Sequence, residues 1–434
     1  MMFAWALTGE QWIILAGTVL MGFVPAFVRW PVVSTFGLYV ALVPVFDSVP
    51  YVIGGASIVK PVGMLAAAML TAAGLIERRF GRPPAAALWW GVLIVWCILT
   101  ATWAVDPPSV FARLPTAVSL FVLYLVAVSF KPSERELYAV CCLAVIGGAV
   151  AAAVGYFYGL EAPAGAAGTP VRGRLVVAGV ESNPNALGET LVPVLALALG
   201  GFVGLRARLH RTLALGAVAL AGLGIFISMS RGALLGMITA ALALSYRIRA
   251  RRQFLIAALV LVAIAATMPA AFYERIVAVF DAEDTSGSGR VDIWTVAFRA
   301  LHRFGLVGAG LENFVDVHRM YAPHGPSGYA FGAHNTYLMV WVELGIVGLS
   351  LMLAALGCHL LAVKRATKTG AGGVLLAATE ASCIGVLVLA FFSDLLWTKF
   401  FWLPWIFLTW AIYCAQESRS EVISNVSGEG VRLQ

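Results

Sequence analysis

Along most of this chain apolar residues do not alternate with polar ones; they run on for a membrane's width at a time. Thirteen such segments lie near 11–28, 32–48, 58–77, 85–104, 112–130, 134–158, 184–205, 211–229, 231–247, 252–271, 334–363, 374–393 and 399–415. A helix needs roughly 20 apolar residues to cross the hydrocarbon core, and in lipid a helix satisfies its own backbone. The pattern therefore predicts an all-α polytopic membrane protein. The first two runs are short and tightly connected, so about twelve spans is as fair a count as thirteen.

One long stretch breaks the pattern. Residues 273–333 form a loop in which Ile293, Trp294, Ala297, Phe298 and Leu301 recur at helical spacing. That spacing predicts an amphipathic helix over 290–303, lying near the membrane surface. A Ser/Gly turn, Thr285 to Gly289, precedes it, and a Gly- and Pro-rich stretch around Tyr321–Pro326 follows. No internal repeat stands out. Residues 1–415 are read as one transmembrane domain that includes the loops 159–183 and 273–333. Residues 416–434 are read as a short, loose cytoplasmic tail.

Composition narrows the class. Of 434 residues, 61% are hydrophobic and 12% charged, about half the charged share usual for soluble domains. A soluble chain of this length cannot hide that much apolar surface. A soluble enzyme, a disordered chain and a disulfide scaffold are excluded. The six cysteines all fall in apolar stretches, so no disulfide framework is expected. No Lys or Arg precedes the first apolar run, so the n-region of a cleaved signal peptide is lacking.

The net charge of +7 is a topology signal rather than a sign of nucleic-acid binding. Arg78, Arg79 and Arg82 share one connection; Lys131 and Arg135 lie in the next but one. Arg206, Arg208 and Arg211 follow, then Arg247 to Arg252, then Lys364, Arg365 and Lys368. These short alternate loops are cytoplasmic by the positive-inside rule. The loops 48–57, 105–111, 159–183, 273–333 and 394–398, and the 229–231 corner, then face outward.

Several of the twenty-four arginines are not needed for that topology. Arg172, Arg174, Arg231, Arg290, Arg299, Arg303 and Arg319 land on the outward side. A guanidinium stays charged and offers a planar fork of donors suited to phosphate, so the cluster suits an anionic lipid head or a lipid diphosphate. Arg299 and Arg303 share one helix face, where lipid phosphate or water suffices to explain them. Arg231 sits in Ser230-Arg231-Gly232 at the corner between two apolar spans, where desolvation is costly. Arg290 lies four residues before Trp294.

Among six histidines, His210 and His359 fall on the inward side, and His302, His318 and His324 in the large loop. His334 opens a span, where the helix N-terminus disfavours the imidazolium and leaves a base able to accept a proton. No His-Glu-x-x-His pattern is present; His318 and His324 beside Asp316 make only a weak metal set. Neither a phosphate-binding loop nor a dinucleotide fingerprint is encoded. Glu189, Glu343 and Glu380 are the chief intramembrane charges, and Glu380 has no evident partner.

Taken together, some of these residues resemble a known family. His334-Asn335, nine residues, then Gly345-Ile346-Val347-Gly348 resembles the signature of bacterial O-antigen ligases, as does Arg231-Gly232-Ala233-Leu234-Leu235. Asn183-Pro184-Asn185, Gly289-Arg290 with Trp294, and Gly305 to Phe314 resemble pieces of the wider O-antigen ligase/polymerase superfamily. The resemblance covers about 180–350, and the first half only by span pattern. It implies a GT-C-type glycosyltransferase of the bacterial inner membrane, usually with twelve spans and both ends cytoplasmic. The implied reaction is transfer of polysaccharide from undecaprenyl diphosphate to a sugar hydroxyl of lipid A–core on the periplasmic face, in lipopolysaccharide biosynthesis, without ATP, metal or other cofactor. Within it His334 is expected as the catalytic base, Arg231 and Arg290 as donor-diphosphate ligands, and Arg172 or Arg174 as assistants. Asn335, Tyr337, Glu343 and Trp294 are expected to support the site; Asn185, like Asn183, is read first as a helix cap. Expected partners are the lipid-linked glycan, lipid A–core and membrane lipids, with no nucleic acid. O-antigen polymerases and protein-directed O-oligosaccharyltransferases are the enzyme alternatives. A transporter of lipid-linked sugars would instead place paired charges near the midplane.

Overall fold

A computed structural model describes residues 29–48, 52–53, 56–57, 59–159, 176–177, 180–181, 184–268, 273, 290–322, 332–368 and 372–431. The described chain is almost wholly helical. In order the helices are α1 (Leu38–Ser48, entered through a π-helical Val33–Gly37), α2 (Val59–Ile76), α3 (Ala85–Leu99), α4 (Pro107–Ser129), α5 (Glu134–Gly159), α6 (Pro184–Gly204), α7 (Arg208–Ile227) and α8 (Arg231–Arg247). Then come α9 (Arg251–Ala266), α10 (Arg290–Phe304), α11 (Phe314–Tyr321), α12 (Thr336–Lys368), α13 (Val374–Leu389) and α14 (Lys399–Val431). The two-residue hairpins Val52–Ile53/Ala56–Ser57 and Val176–Val177/Val180–Glu181 are the only strands among the described residues.

A helix therefore covers every predicted apolar segment from 32 onward; 11–28 lies outside the described residues. Among the described residues, seven helices are long and apolar enough to cross a membrane: Val59–Ile76, Ala85–Thr102, Pro107–Ser129, Glu134–Phe157, Asn185–Gly204, Arg208–Ile227 and Thr336–Lys368. Val33–Phe46 and Val374–Leu389 are shorter apolar helices. The chain is a multi-pass, all-α membrane protein.

Local signals set the boundaries. Ser133 and Glu136 form a capping box at α5: the Ser133 N–H donates to the Glu136 carboxylate (2.7 Å), and the Glu136 N–H to the Ser133 hydroxyl (3.3 Å). Asp106 caps α4 by accepting the Ser109 N–H at 3.2 Å. The tail expected to be loose from Gln416 instead continues α14 to Val431. Glu380 has a partner after all, the Arg247 guanidinium at 2.6 Å, tying α13 to α8 at the basic end. Sequence gave no hint of that pair, because the two residues are far apart along the chain.

Helix α6 is the centre of the bundle. It is buried over most of its length, while each of the other six candidate spans is buried over less than half. Its small residues permit close packing. A Cβ on Gly188 would press on Ser228 and Ala233, and one on Gly200 on Ala378, so α7, α8 and α13 close around it.

The predicted amphipathic helix is α10. It buries Ile293, Val296, Ala297, Ala300 and Phe304 against α12 and α11, while Phe298 stays exposed. Beyond it the chain forms a strap, Gly305–Asn313, that fits into a break in α12. Gly345 has φ 70° and ψ −175°, so the carbonyls before it lose helical partners. Ala309 N–H donates to Val342 O (2.9 Å), Gly310 N–H to Glu343 O (2.8 Å) and the Trp96 indole to Leu344 O (2.8 Å). Ile346 N–H returns a bond to Gly305 O at 2.8 Å. Every group freed by the kink that is named here is thus satisfied from outside the helix, as lipid surroundings require.

Candidate active site

At the end of the bundle opposite the basic connections, the first residues of α12 meet the turn 390–395 between α13 and α14. Thr336, fully buried, links the two. Its N–H donates to Ala390 O (2.8 Å) and Ser393 O (3.1 Å), its hydroxyl donates to Ser393 O (2.6 Å), and that hydroxyl accepts the Leu395 N–H (2.8 Å). Asp394 completes the junction. Its two carboxylate oxygens accept the N–H groups of His334 and Asn335, each at 3.0 Å. Asn335 is the helix cap, its side-chain oxygen accepting the Leu338 N–H at 3.0 Å.

This clamp holds His334 at φ +47°. The left-handed region costs a side-chain-bearing residue about 1–2 kcal/mol, and such strain persists where surrounding bonds over-determine it. The imidazole makes no hydrogen bond to any described residue. Burial lowers its pKa below the ordinary 6.5, with the nearby Arg290 charge adding to that and Asp394 opposing it. Burial raises the Asp394 carboxyl against the pull of its N–H bonds and of His334. At neutral pH the imidazole is therefore an uncharged base.

Arg290 and Trp294 fasten α10 to the same junction from two sides. The Arg290 guanidinium donates to Phe392 O (3.1 Å), and the Trp294 indole to Ala333 O (3.0 Å). Arg231 begins α8, whose cap is Ser230. A Cβ on the next residue, Gly232, would lie 2.7 Å from Phe392 Cβ, so the first turn of α8 abuts the same turn. The half-buried Arg231 side chain makes no ion pair or hydrogen bond with any described residue. Arg290 and His334 thus meet at residues 389–395, and Arg231 begins the helix whose first turn abuts that turn.

The other expected residues divide. The Tyr337 hydroxyl donates to Leu387 O (2.9 Å) and its ring packs on Phe391, part of the same turn, with centroids 4.4 Å apart. Glu343 lies about two turns along α12 and meets the strap, accepting the Phe314 N–H at 3.2 Å. Asn185 is half-buried in the first turn of α6. Arg172, Arg174, Asn183 and His324 lie outside the described residues. Arg319 pairs with Asp316 at 2.9 Å, His318 is buried, and among the described residues no three His, Cys, Asp or Glu side chains come together as a metal site.

Sequence reasoning missed Ser393 and Asp394, and gave Glu189 no role. The buried Glu189 carboxylate accepts the Ser393 hydroxyl, so α6 also supports the turn. The available signal was the polar pair Ser393-Asp394 inside Phe391-Phe392-Ser393-Asp394-Leu395-Leu396, a short break between two apolar helices. Asp394→Asn keeps the shape and one acceptor but removes the charge that favours the imidazolium. In the variant the His334 pKa is expected to fall further; a pH titration of His334 by NMR reads this, and a purely structural role for Asp394 would leave the curve in place.

Residues 216–353 match the family model described as O-antigen ligase, consistent with the O-antigen ligase/polymerase family. That region contains Arg231, Arg290, Trp294 and His334, while Glu189 and Asp394 lie outside it. No curated protein matches the chain.

Proposed function

We propose that this chain, with its O-antigen ligase family region at 216–353, is an O-antigen ligase. It transfers polysaccharide from undecaprenyl diphosphate to a sugar hydroxyl of lipid A–core, on the periplasmic face of the inner membrane. About twelve spans in a GT-C-type arrangement carry the site. The observation that supports this most is that Arg290 and His334 meet at one turn, which the first turn of the Arg231 helix also abuts, at the end of the helices away from the basic loops.

The chemistry follows from those groups. Diphosphate is already a good leaving group, so the reaction needs cations where negative charge grows rather than an acid. Arg231 and Arg290 supply them. The acceptor hydroxyl is a poor nucleophile, and neutral His334 takes its proton as the new C–O bond forms. The bond between the sugar carbon and the diphosphate oxygen breaks, and undecaprenyl diphosphate leaves with the electron pair. The resulting imidazolium is stabilised by Asp394. One displacement inverts the sugar carbon, and no metal or nucleotide enters.

Proteoliposomes carrying the purified chain and lipid-linked glycan test the assignment by acceptor. Joined product is expected with lipid A–core present, with chelator and without nucleotide. Consumption of donor only when a second lipid-linked glycan is supplied would instead mark a polymerase.

Two further outcomes are expected. Arg231→Lys and Arg290→Ala should each weaken donor binding or slow transfer by about tenfold or more, since a point charge does not replace a bidentate fork; unchanged affinity and rate in both would remove them from the site. Transfer should fall at low pH as His334 protonates. Because burial and Arg290 lower its pKa, the acid limb of the rate profile is expected below pH 6.5, and a limb above that value would point to another base.

A further inference from the structure

A second candidate binding site lies at the opposite, basic end of the bundle. Helices α5, α6, α7 and α13 leave an open groove of about 600 Å³ there, a size typical of small-molecule clefts. Its walls are apolar: Ile146, Leu197, Leu213, Leu220 and Leu375 line it, with Tyr138 beside them. Ile146, Leu209 and Leu213 are more than half exposed, so the groove opens through a surface that belongs in lipid, not water.

A basic segment lies beside its mouth. Arg206 precedes α7, and its first turn carries Arg208, His210 and Arg211; of these His210 lines the groove and the arginines flank it in the chain. None of these side chains is paired with a carboxylate among the described residues. Arg211 lies over the Phe202 ring (5.7 Å), and its buried Nε has no hydrogen-bond partner there. The acids nearby on the lining helices are engaged elsewhere: Glu380 by Arg247 and Glu136 by Arg79. The exposed Glu134 lies a turn from Tyr138 on α5.

Apolar walls beside a segment rich in unmatched arginines complement an amphiphile with a phosphate head. Basic pockets between transmembrane helices take such heads. We propose that this groove binds an anionic phospholipid of the adjacent leaflet, its acyl chains against α5 and α7 and its phosphate on Arg208 and Arg211. The site is separate from the His334 junction, and its failure would leave the transfer reading untouched.

Native mass spectrometry of the full-length protein tests it, with phosphatidylglycerol and phosphatidylethanolamine of identical acyl chains as probes. Phosphatidylglycerol should be retained about tenfold more strongly, and Arg208→Gln with Arg211→Gln should bring it down to the phosphatidylethanolamine level. Gly216 lines the groove, and a Cβ there meets nothing within 4 Å. Gly216→Leu should therefore fill the groove and lower retention of both lipids without lowering the Tm. Equal retention of the two lipids by the unaltered protein, or unchanged retention in both variants, overturns the proposal. So does displacement of phosphatidylglycerol by an equal concentration of a polyprenyl phosphate, which would assign the groove to a substrate chain.

Discussion

Replacing His334 by asparagine is expected to lower transfer by about 10²–10⁴-fold, the usual contribution of a positioned base. Asparagine is the informative substitute because it tolerates left-handed backbone, and His334 sits at φ +47°. The N–H bonds to Asp394 come from the backbone and survive the change. Donor binding should persist, because Arg231 and Arg290 are untouched. His334→Gly sharpens the point. It removes the base and also relieves the backbone strain, so the variant should be inactive yet more stable by up to about 1–2 kcal/mol. Thermal melts beside transfer assays check both. Near-normal transfer by His334→Asn would take the base assignment away from this residue.

The second large effect concerns the fold beneath the site. Gly345→Ala should remove most folded protein from the membrane. Its φ of 70° with ψ near 180° is a region populated essentially by glycine, costing other residues about 1–3 kcal/mol. A Cβ there would also lie 2.2 Å from Leu306 O and 2.6 Å from Val307 N. Both atoms are backbone of the strap and cannot swing aside. Gly308 is the reciprocal case, with φ 86° and a Cβ position 2.1 Å from Glu343 O. Gly357, farther along the same helix, has nothing within 4 Å, so Gly357→Ala is the control and should match the unaltered protein in yield and Tm. Equal yields of Gly345→Ala and Gly357→Ala would mean that the strap does not hold the kink.

The difference between these two glycines shows where sequence reading stops. Apolar runs located the helices because lipid demands length and hydrophobicity of each one separately. Helical spacing located α10, and the alternating basic connections placed Arg231, Arg290 and His334 at a common end. The break at Gly345 was invisible, because Glu343-Leu344-Gly345-Ile346 reads as part of one apolar helix; its partners, Trp96 and the Gly305–Asn313 strap, are distant in the chain. Asp394 was missed for the same reason. It looked like part of an outward loop, and its role appears only once α13 and α14 bring it under His334. Glu343 and Tyr337, expected as supporting residues, bond to the strap and to α13, segments that sequence did not link to them. Residue patterns state what a segment requires of its surroundings, not which distant segment supplies it.

A single displacement at the His334 junction leaves its mark in the anomeric configuration of the new linkage. Glycan of known configuration on its lipid diphosphate would be joined to lipid A–core in proteoliposomes, and the product linkage read by NMR. Inversion at the transferred sugar carbon is the predicted result. Retention, which one in-line displacement does not give, or no joined product at all, would rule out that step at this site.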